Sequence, residues 1–381
     1  MVCDTLFDFI ESNFDFYVKV WEDVTSIESP TECKAGNDAI GEYFSKLAYE
    51  RGFSVERCAQ SVSGDVVSIT MNQDSDAPPI VFSGHIDTVH PIGSFGPHTV
   101  RREGNKIYGP GVMDCKGGVV AAFFAMDALR AAGFRKRPVI LILQTDEEQN
   151  SRPSKKDTIR YMVDKSKDAI AFINCESSKD DTLVLYRKGI VQFEFYISGK
   201  AIHSSRCPFG VSAIAEAARK ITELEKLKDF EGITCNCGII KGGTADNTVP
   251  ADCYFTADIR FMNNQQLDYA RKLVNEIANT SYVGAECRLV ERAIRPAMSK
   301  SDVNDNLLAK INAIFESVGI PNATPRLSLG GSDAAYTTEA GIPTVDSIGV
   351  SGDFIHTVDE YANVDSLKMS AKKLTAIAYY I

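Results

Sequence analysis

Long apolar runs are missing from this 381-residue sequence. No stretch approaches the ~20 consecutive apolar residues that a membrane-spanning helix needs, so we predict no transmembrane segment and no membrane partner. The N-terminal segment MVCDTLFDFIESNFDF has acidic residues where a signal peptide needs a basic start and an apolar core. These features favour a cytoplasmic location.

Positive charge is also scarce, because 51 acidic residues outnumber 41 basic ones and give a formal net charge of −10. A nucleic-acid-binding surface needs a basic patch, so we predict no nucleic-acid partner. None of the ten cysteines forms a C-x-x-C pair. We therefore expect free thiols rather than a zinc knuckle or a disulfide framework.

Short apolar runs in the first half predict strands buried on both faces. They are PPIVFSG (78–84), PVILILQT (138–145) and AIAFINC (169–175). The segment GGVVAAFFAMDALRAAG between the first two predicts a helix. Near the C-terminus, IPTVDSIG (342–349) predicts another buried strand and residues 364–380 a closing helix. The alternation indicates an α/β fold with a mixed, mostly parallel sheet and helices on both faces.

The middle third predicts a different architecture. The expected order is strand, helix, strand, strand, helix, strand, over residues 189–198, 211–226, 232–241, 251–261, 264–279 and 285–294. This is the order of a ferredoxin-like α+β domain, whose antiparallel sheet carries helices on one face. The simplest account is a small domain, residues 187–298, inserted into a larger one formed by residues 1–186 and 299–381.

Residues that can bind metal follow each predicted strand of the first half. His85 and Asp87 follow the first strand, Glu147 and Glu148 the second, and Glu176 the third. In open α/β sheets, ligands bind beyond the carboxyl ends of the strands. Several carboxylates brought together repel one another and need a cation to hold them. We therefore predict a metal site at this edge of the sheet.

Each of these segments has a simpler interpretation when it is taken alone. The H-x-D segment that follows the first strand is by itself a weak signal for a metal. Asp114, in the glycine-rich turn YGPGVMDCKGG, is either a metal ligand or the N-cap of the following helix. Glu147 and Glu148 are either a general base and a ligand, or an acidic surface turn.

Histidine is rare in this chain, with five residues in all. His85 and His356 are the ligand candidates, and the second stands in the acid-rich segment GDFIHTVDEY. We interpret His90 and His98 as loop residues without a special role.

Taken together, these segments resemble the di-zinc aminoacylase and carboxypeptidase family. That family includes glutamate carboxypeptidase, acetylornithine deacetylase and succinyl-diaminopimelate desuccinylase. The resemblance rests on SGHIDTVHP, YGPGVMDCKGG, TDEE, NCESS, GKAIHS and GGSDAAY…GVSGDFIHTVDEY, which span residues 83–361. The glutamate carboxypeptidase branch is the most similar one, by YGPG, TDEE and GGSDAAY.

The resemblance implies two zinc ions per chain, which cobalt or manganese could replace. His85 and Glu176 would bind one ion, and Glu148 and His356 the other. Asp114 and a shared hydroxide would bridge the two, so that each zinc has the four ligands it prefers.

The resemblance also assigns supporting roles near the ions. Asp87 would orient the histidine that precedes it, and Glu147 would be the general base. The peptide bond between Asp114 and Cys115 would be cis.

The inserted domain resembles the lid and dimerisation domain of this family, which implies a homodimer. His203, in GKAIHS, matches a histidine that reaches the partner subunit's active site and polarises the scissile carbonyl. Asn247 and Gly331 match substrate contacts. Arg260 matches an arginine that grips a substrate carboxylate, although such a residue is also typical of a solvated strand. Arg326 is the candidate for a second arginine found in glutamate-specific relatives, displaced here by one residue.

These roles imply hydrolysis of an amide bond beside a free carboxylate, in a small peptide or an N-acyl amino acid. An N-acyl amino acid deacylase resembling acetylornithine deacetylase, or a dipeptidase, would use the same chemistry. Glu176 counts against the dipeptidase and tripeptidase branches, which tend to carry aspartate at that position. A non-catalytic scaffold on the same fold is a further alternative.

Overall fold

The computed structural model of the protein describes residues 2–381. Its α-helices are α1 (Val2–Ser12), α2 (Phe14–Ser26), α3 (Lys34–Glu50), α4 (Gly117–Ala131), α5 (Asp157–Ser166), α6 (Ala213–Leu224), α7 (Asn264–Asn279), α8 (Asp302–Ser317), α9 (Ala334–Glu339) and α10 (Val364–Tyr380). Its strands are β1 (Ser54–Cys58), β2 (Val66–Met71), β3 (Ile80–His85), β4 (Arg101–Glu103), β5 (Lys106–Tyr108), β6 (Val139–Gln144), β7 (Ala171–Asn174), β8 (Thr182–Arg187), β9 (Gly189–Ser198), β10 (Thr234–Gly242), β11 (Asp252–Phe261), β12 (Glu286–Arg295), β13 (Thr324–Ser328), β14 (Thr344–Asp346), β15 (Gly352–Asp353) and β16 (Tyr361–Asn363). Within residues 2–381, no helix is both long enough and apolar enough to cross a membrane.

Contacts within the chain divide it into two compact units. The first contains the chain up to Leu185 together with Lys300–Leu327 and Ser332–Ile381. The second contains Tyr186–Ser299 and Ser328–Gly331. The lid and dimerisation roles expected for residues 187–298 stay a prediction.

The first unit is built on an eight-stranded sheet with the order β1-β2-β6-β3-β7-β14-β8-β13. Its central strands β6, β3, β7 and β14 run parallel to one another. Antiparallel pairs β1–β2, β2–β6 and β14–β8 extend it on both sides. This confirms the predicted α/β class with a mixed sheet that is parallel at its centre.

Helices cover both faces of this sheet, which explains why its central strands β3, β6, β7 and β14 are buried along their whole length. Successive residues of a strand point to opposite faces. The Ser83 hydroxyl of β3 contacts the sulfur of Met162 in α5 at 3.7 Å. A side chain at the next position, Gly84, would meet Val119 of α4. The two helices therefore lie on opposite sides of β3.

The second unit has a four-stranded antiparallel sheet with the order β10-β11-β9-β12. With α6 and α7 it follows the predicted strand–helix–strand–strand–helix–strand sequence, and the observed bounds differ from the predicted ones by a few residues at most. Its core includes Phe195 and Phe255, whose rings stack with their centroids 4.3 Å apart. This unit gives the ferredoxin-like part of the predicted fold.

A small third sheet, with the order β15-β16-β5-β4, was not predicted. Its strands are two or three residues long, too short for any periodicity to be visible in the sequence. It joins the segment before Asp114 to the segment around His356, because β16 pairs with β5 between Tyr361 and Tyr108.

Candidate metal centre

Neighbouring parallel strands deliver the predicted side chains to one edge of the first unit. β3 ends at His85, and β6 and β7 flank it on either side. The segments that follow these two strands carry Glu148 and Glu176. Asp114 lies just before α4, and His356 lies between β15 and β16. The structure brings all five predicted ligands together.

The carboxylate of Asp114 lies between two imidazoles. Its Oδ1 is 3.3 Å from Nε2 of His85, and that nitrogen is 3.6 Å from Oε1 of Glu176. Its Oδ2 is 3.2 Å from Nε2 of His356, which is 3.3 Å from Oε2 of Glu148. The five residues therefore form two donor sets, each with one nitrogen and two carboxylate oxygens, and Asp114 belongs to both.

These separations fit a metal centre. Zinc binds nitrogen and oxygen at about 2.0–2.2 Å in a tetrahedron, which places neighbouring donor atoms roughly 3.3–3.6 Å apart. The distances from the imidazole nitrogen to the carboxylate oxygens in the two sets run from 3.2 to 3.6 Å. The residues present therefore suit a tetrahedral cation in each set, with the second oxygen of Asp114 available to a neighbouring ion.

The electrostatics of the cluster also favour a cation. Burial raises the pKa of Glu148 to about 7 and raises that of Glu176 well above its usual value, where the nearby Asp114 charge adds to the effect. Burial alone would raise the pKa of Asp114 as well, but hydrogen bonds from His356 and His85 hold it far below the usual value. Hydrogen bonds to Asp114 and Glu148 raise the pKa of His356 to about 10. The surroundings thus stabilise positive charge beside these carboxylates.

Asp87 connects two of the segments that carry ligands. The side chain is fully buried, and its oxygens accept the backbone N–H groups of Glu147 and Glu148, both at 3.2 Å. Its Oδ1 is 3.5 Å from Nδ1 of His85, and its Oδ2 accepts the Thr31 hydroxyl at 2.7 Å. Nδ1 of His85 lies closer to the backbone carbonyl oxygen of Asp87, at 3.0 Å. Residue 87 therefore positions the imidazole mainly through its backbone and the adjacent acidic pair through its carboxylate, where a ligand-orienting group is expected.

The backbone beneath Glu176 is packed without intervening side chains. A Cβ atom at Gly118, in the first turn of α4, would collide with the carbonyl group of Cys175. A Cβ atom at Gly349 would collide with the same carbonyl. The N–H of Gly349 donates to the carbonyl oxygen of Glu176 at 2.9 Å. Only glycine permits this approach.

The two remaining ligand segments have unusual backbone geometry. The Asp114–Cys115 peptide bond is cis, as the resemblance predicted. His356 has a φ of +64°, in the left-handed region that residues other than glycine seldom adopt. A positive φ at a residue other than glycine is often found at functional sites, where the surroundings enforce it. The His356 side chain is also 51% exposed, whereas that of His85 is 2% exposed.

His90 lies in a loop, as we expected, but its imidazole is buried and paired, which the sequence did not indicate. The side chain is 6% exposed, and its Nε2 lies 3.0 Å from Oε2 of Glu360. The sequence analysis also missed Glu360, although it stands four residues after His356 in a segment already singled out. Nothing in the sequence shows that the two residues meet, because 270 positions separate them.

Four of the predicted substrate-contacting residues belong to the second unit, namely His203, Asn247, Arg260 and Gly331. His203 caps a short helical turn, and Nδ1 of its imidazole accepts the Ser205 N–H at 3.2 Å. The following residue, Ser204, donates its N–H to the carbonyl oxygen of Asn247 at 2.8 Å. The structure therefore places His203 and Asn247 on adjoining segments.

The remaining predicted contacts are arginines and a glycine. Arg260, on β11, donates from Nε to Asp258 at 2.7 Å, and the carbonyl oxygen of Gly331 accepts from the Arg187 guanidinium at 3.2 Å. Arg326 lies in the first unit and donates from Nε to the Thr182 hydroxyl at 3.1 Å.

Comparison with known proteins agrees with this geometry. The profile described as Peptidase family M20/M25/M40 matches residues 81–380. Carboxypeptidase G2 of Pseudomonas sp. (strain RS-16) is 29% identical over 357 residues, covering 92% of this chain and 85% of that protein. Succinyl-diaminopimelate desuccinylase of Wolbachia pipientis wMel is 27% identical over 378 residues, covering 94% and 91%.

Solved structures share the fold. Aminopeptidase PepT from Bacillus cereus ATCC 10987 superimposes with a TM-score of 0.79 at 22% identity, covering 97% of this chain and 98% of that one. The metallo-carboxypeptidase Sso-CP2 from Sulfolobus solfataricus gives 0.75 at 17% identity, covering 96% and 98%. The predicted resemblance is thus confirmed. This chain belongs to peptidase family M20/M25/M40 and is a metal-dependent hydrolase of the metallopeptidase and amidohydrolase type.

Proposed function

We propose that this protein hydrolyses the amide bond of a peptide or an N-acyl amino acid next to a free carboxylate, with two zinc ions per chain. The observation that carries the proposal is the position of Asp114. Each of its oxygens faces a separate imidazole and lies within 3.3 Å of it. A carboxylate shared between two such sets is suited to two adjacent cations.

Five side chains would hold the cations, namely His85, Asp114, Glu148, Glu176 and His356. A pair of zinc ions would lower the pKa of a water molecule from 15.7 towards ~7 and polarise the scissile carbonyl. The buried carboxylates would compensate the charge of the pair. This donor set also suits cobalt or manganese.

Glu147 is the residue that we assign to proton transfer. It is 8% exposed and adjoins Glu148, while its backbone N–H is fixed by Asp87. In the proposed reaction its carboxylate accepts the proton of the attacking water and returns it to the leaving nitrogen. A positioned general base contributes ~10²–10⁴-fold to the rate.

The second unit would supply substrate contacts through His203, Asn247, Arg260 and Gly331. The hydrogen bond from the Ser205 amide requires Nδ1 of His203 to be an acceptor, so the proton of the neutral ring is on Nε2. A histidine in that tautomer can donate to a carbonyl oxygen. We propose that it does so across a homodimer, as the resemblance implies, and that Arg260 pairs with the substrate carboxylate.

A carboxypeptidase and a deacylase remain the two candidates of the same chemistry. The similarity to carboxypeptidase G2 favours the former, and the similarity to succinyl-diaminopimelate desuccinylase favours the latter. The apolar side chains of Phe354 and Ile355, which are 55% and 42% exposed beside His356, support a substrate with an apolar part. Glu176 counts against a dipeptidase. The complete set of predicted metal ligands counts against a non-catalytic scaffold.

The proposal is tested with a substrate panel of folate-type glutamates, N-acyl amino acids and dipeptides, assayed with and without a chelator. We expect turnover of a carboxylate-bearing amide that stops on chelation and returns when zinc is added. Metal analysis of the purified protein should give about two ions per chain. A protein that retains no metal, or that is equally active in the chelator, would contradict the proposal.

A further inference from the structure

Glu360 is a buried carboxylate that the proposed reaction does not use. It is 1% exposed, and four donors converge on its two oxygens. Oε1 accepts the backbone N–H groups of Met113 at 2.9 Å and Asp114 at 3.1 Å. Oε2 accepts the N–H of Gly111 at 3.2 Å. The carboxylate therefore holds the turn that ends at the shared ligand Asp114.

The fourth donor comes from a different segment. Nε2 of His90 lies 3.0 Å from Oε2 of Glu360, and because a carboxylate only accepts, the imidazole donates. His90 follows His85 and Asp87 in the segment that leaves β3. Its ring also packs edge-on against Phe95, with the ring centroids 4.9 Å apart. The imidazole is therefore held on two sides.

The backbone of Glu360 belongs to a third segment, the one that carries His356. Its N–H donates to the carbonyl oxygen of Thr357 at 3.2 Å, and its carbonyl oxygen accepts the N–H of Gly109 at 3.4 Å. A single residue thus joins the segments that carry His85, Asp114 and His356. These are the segments on which the two donor sets depend.

We propose that Glu360, oriented by His90, is a positioning residue for the pair of cations. It touches neither substrate nor metal. Through the N–H groups at 113 and 114 it fixes the shared carboxylate against the His356 loop, and so sets the donor spacing of the Asp114–Glu148–His356 set. This inference rests on the two-cation hydrolase proposed above.

The consequence for metal binding differs between the two sets. His85 and Glu176 stand at the ends of β3 and β7, which the sheet holds in place. His356 stands on a loop between short strands, with its side chain half exposed. Loss of the Glu360 contacts should therefore weaken the Asp114–Glu148–His356 set more than the other one. Removal of a group that orients metal ligands typically lowers metal affinity 10–100-fold.

The experiment measures zinc binding to metal-free protein by calorimetry, without substrate. Glu360→Gln keeps the shape but replaces one acceptor oxygen by an NH₂ group, which in either orientation faces two of the four donors. We expect one of two binding events to weaken 10–100-fold and the other to change less. The absorption spectrum of the cobalt-substituted protein should change in the same variant.

The matched control is Asp127→Asn. Asp127 is a buried carboxylate of the same unit that accepts from Tyr17 at 2.6 Å and from Arg130 at 2.8 Å. It lies in the C-terminal half of α4, whereas the first turn of that helix is the part next to the cluster. This variant should lower the melting temperature of the metal-free protein while both zinc affinities stay native. Equal losses of affinity in the two variants would show a general effect on stability and overturn the proposal.

His90 provides a second test in case Glu360→Gln does not fold. His90→Phe removes the donor and keeps the ring, whereas His90→Gln keeps a donor. We expect the affinity of the Asp114–Glu148–His356 set for its cation to be lower in the phenylalanine variant than in the glutamine variant. Native affinities for both cations in Glu360→Gln, or in His90→Phe where the first variant is not obtained, would overturn the inference and leave the proposed function standing. A native protein that binds no zinc would overturn both.

Discussion

His356 lies within 3.2 Å of Asp114, so an exposed loop imidazole meets a buried carboxylate through Nε2 and Oδ2. The other oxygen of the same carboxylate faces His85 at 3.3 Å. Asp114 is therefore the one ligand common to both donor sets.

We predict that Asp114→Ala abolishes retention of both cations, because it removes one donor from each set. His356→Ala should release only the cation bound by its own set. Elemental analysis after gel filtration distinguishes the two results. Asp164→Asn, at an exposed position of α5, is the control and should retain the native metal content. Retention of two ions by Asp114→Ala would contradict the shared-ligand assignment.

Adjacent glutamates should respond to substitution in opposite ways. Glu147→Gln should lower kcat by ~10²–10⁴-fold and leave the metal content unchanged, because this residue is assigned to proton transfer. Glu148→Gln should lower the metal content, because Oε2 of this residue lies 3.3 Å from His356 within a donor set. Kinetics and metal analysis on the same preparations check both expectations. If Glu147→Gln turned over substrate at the native rate, the assignment of the base would be wrong.

Asp87 should influence the metal without binding it. Asp87→Ala removes the acceptor of two backbone N–H groups and the carboxylate that lies 3.5 Å from the His85 ring, so we expect zinc affinity to fall 10–100-fold. The backbone carbonyl oxygen of residue 87, which Nδ1 of His85 contacts at 3.0 Å, stays in this variant. Thr31→Val removes one hydrogen bond to the same carboxylate and should have a smaller effect. Calorimetric titration of the metal-free proteins measures both. An unchanged affinity in Asp87→Ala would argue against a positioning role.

In the second unit, Glu216 should make stability depend on pH. Burial alone would raise its pKa, but the N–H groups of Tyr282 and Val283, with Lys220, outweigh burial and hold the pKa below the usual value. A lowered pKa means that the stabilisation is complete above the usual value, ~4.3, and is lost as the pH falls through the folded-state value.

We therefore predict that the melting temperature followed by circular dichroism falls between neutral pH and about pH 3, and that Glu216→Gln makes this fall shallower. The variant should also be less stable at neutral pH, because the carboxylate acceptor is lost. Glu223→Gln changes a partly exposed glutamate of the same helix and should keep the native pH dependence. Identical pH profiles for native protein and Glu216→Gln would show that this carboxylate does not contribute.

Much of this architecture could be predicted because its signals are local. The prediction of β6 from an apolar run and the prediction of the βαββαβ order of the second unit both depend on residues that are close together in the sequence. Metal-binding side chains at the ends of β3, β6 and β7 could be expected to meet, because parallel strands end at a common edge. The position of His356 at this edge was predicted from the family resemblance, because no local sequence pattern indicates it.

The Glu360–His90 contact could not be predicted, for a physical reason. The other donors to the Glu360 carboxylate are backbone N–H groups. Every residue except proline carries such a group, so no pattern of side chains indicates these donors in the sequence. The pairing also depends on β5 and β16, whose three residues each are too few for a periodic signal. A histidine followed by proline, as His90 is, looks like an ordinary loop residue.

Because residues 118 and 349 are glycines, the layer that packs beneath Glu176, called the floor here, is formed by main-chain atoms alone. Efforts to redirect this enzyme towards new substrates can therefore treat that floor as rigid and leave both positions out of any randomised library. Changes of preference would have to come from other side chains around the five predicted ligands, which can be exchanged without moving the segment that follows β7 and carries Glu176.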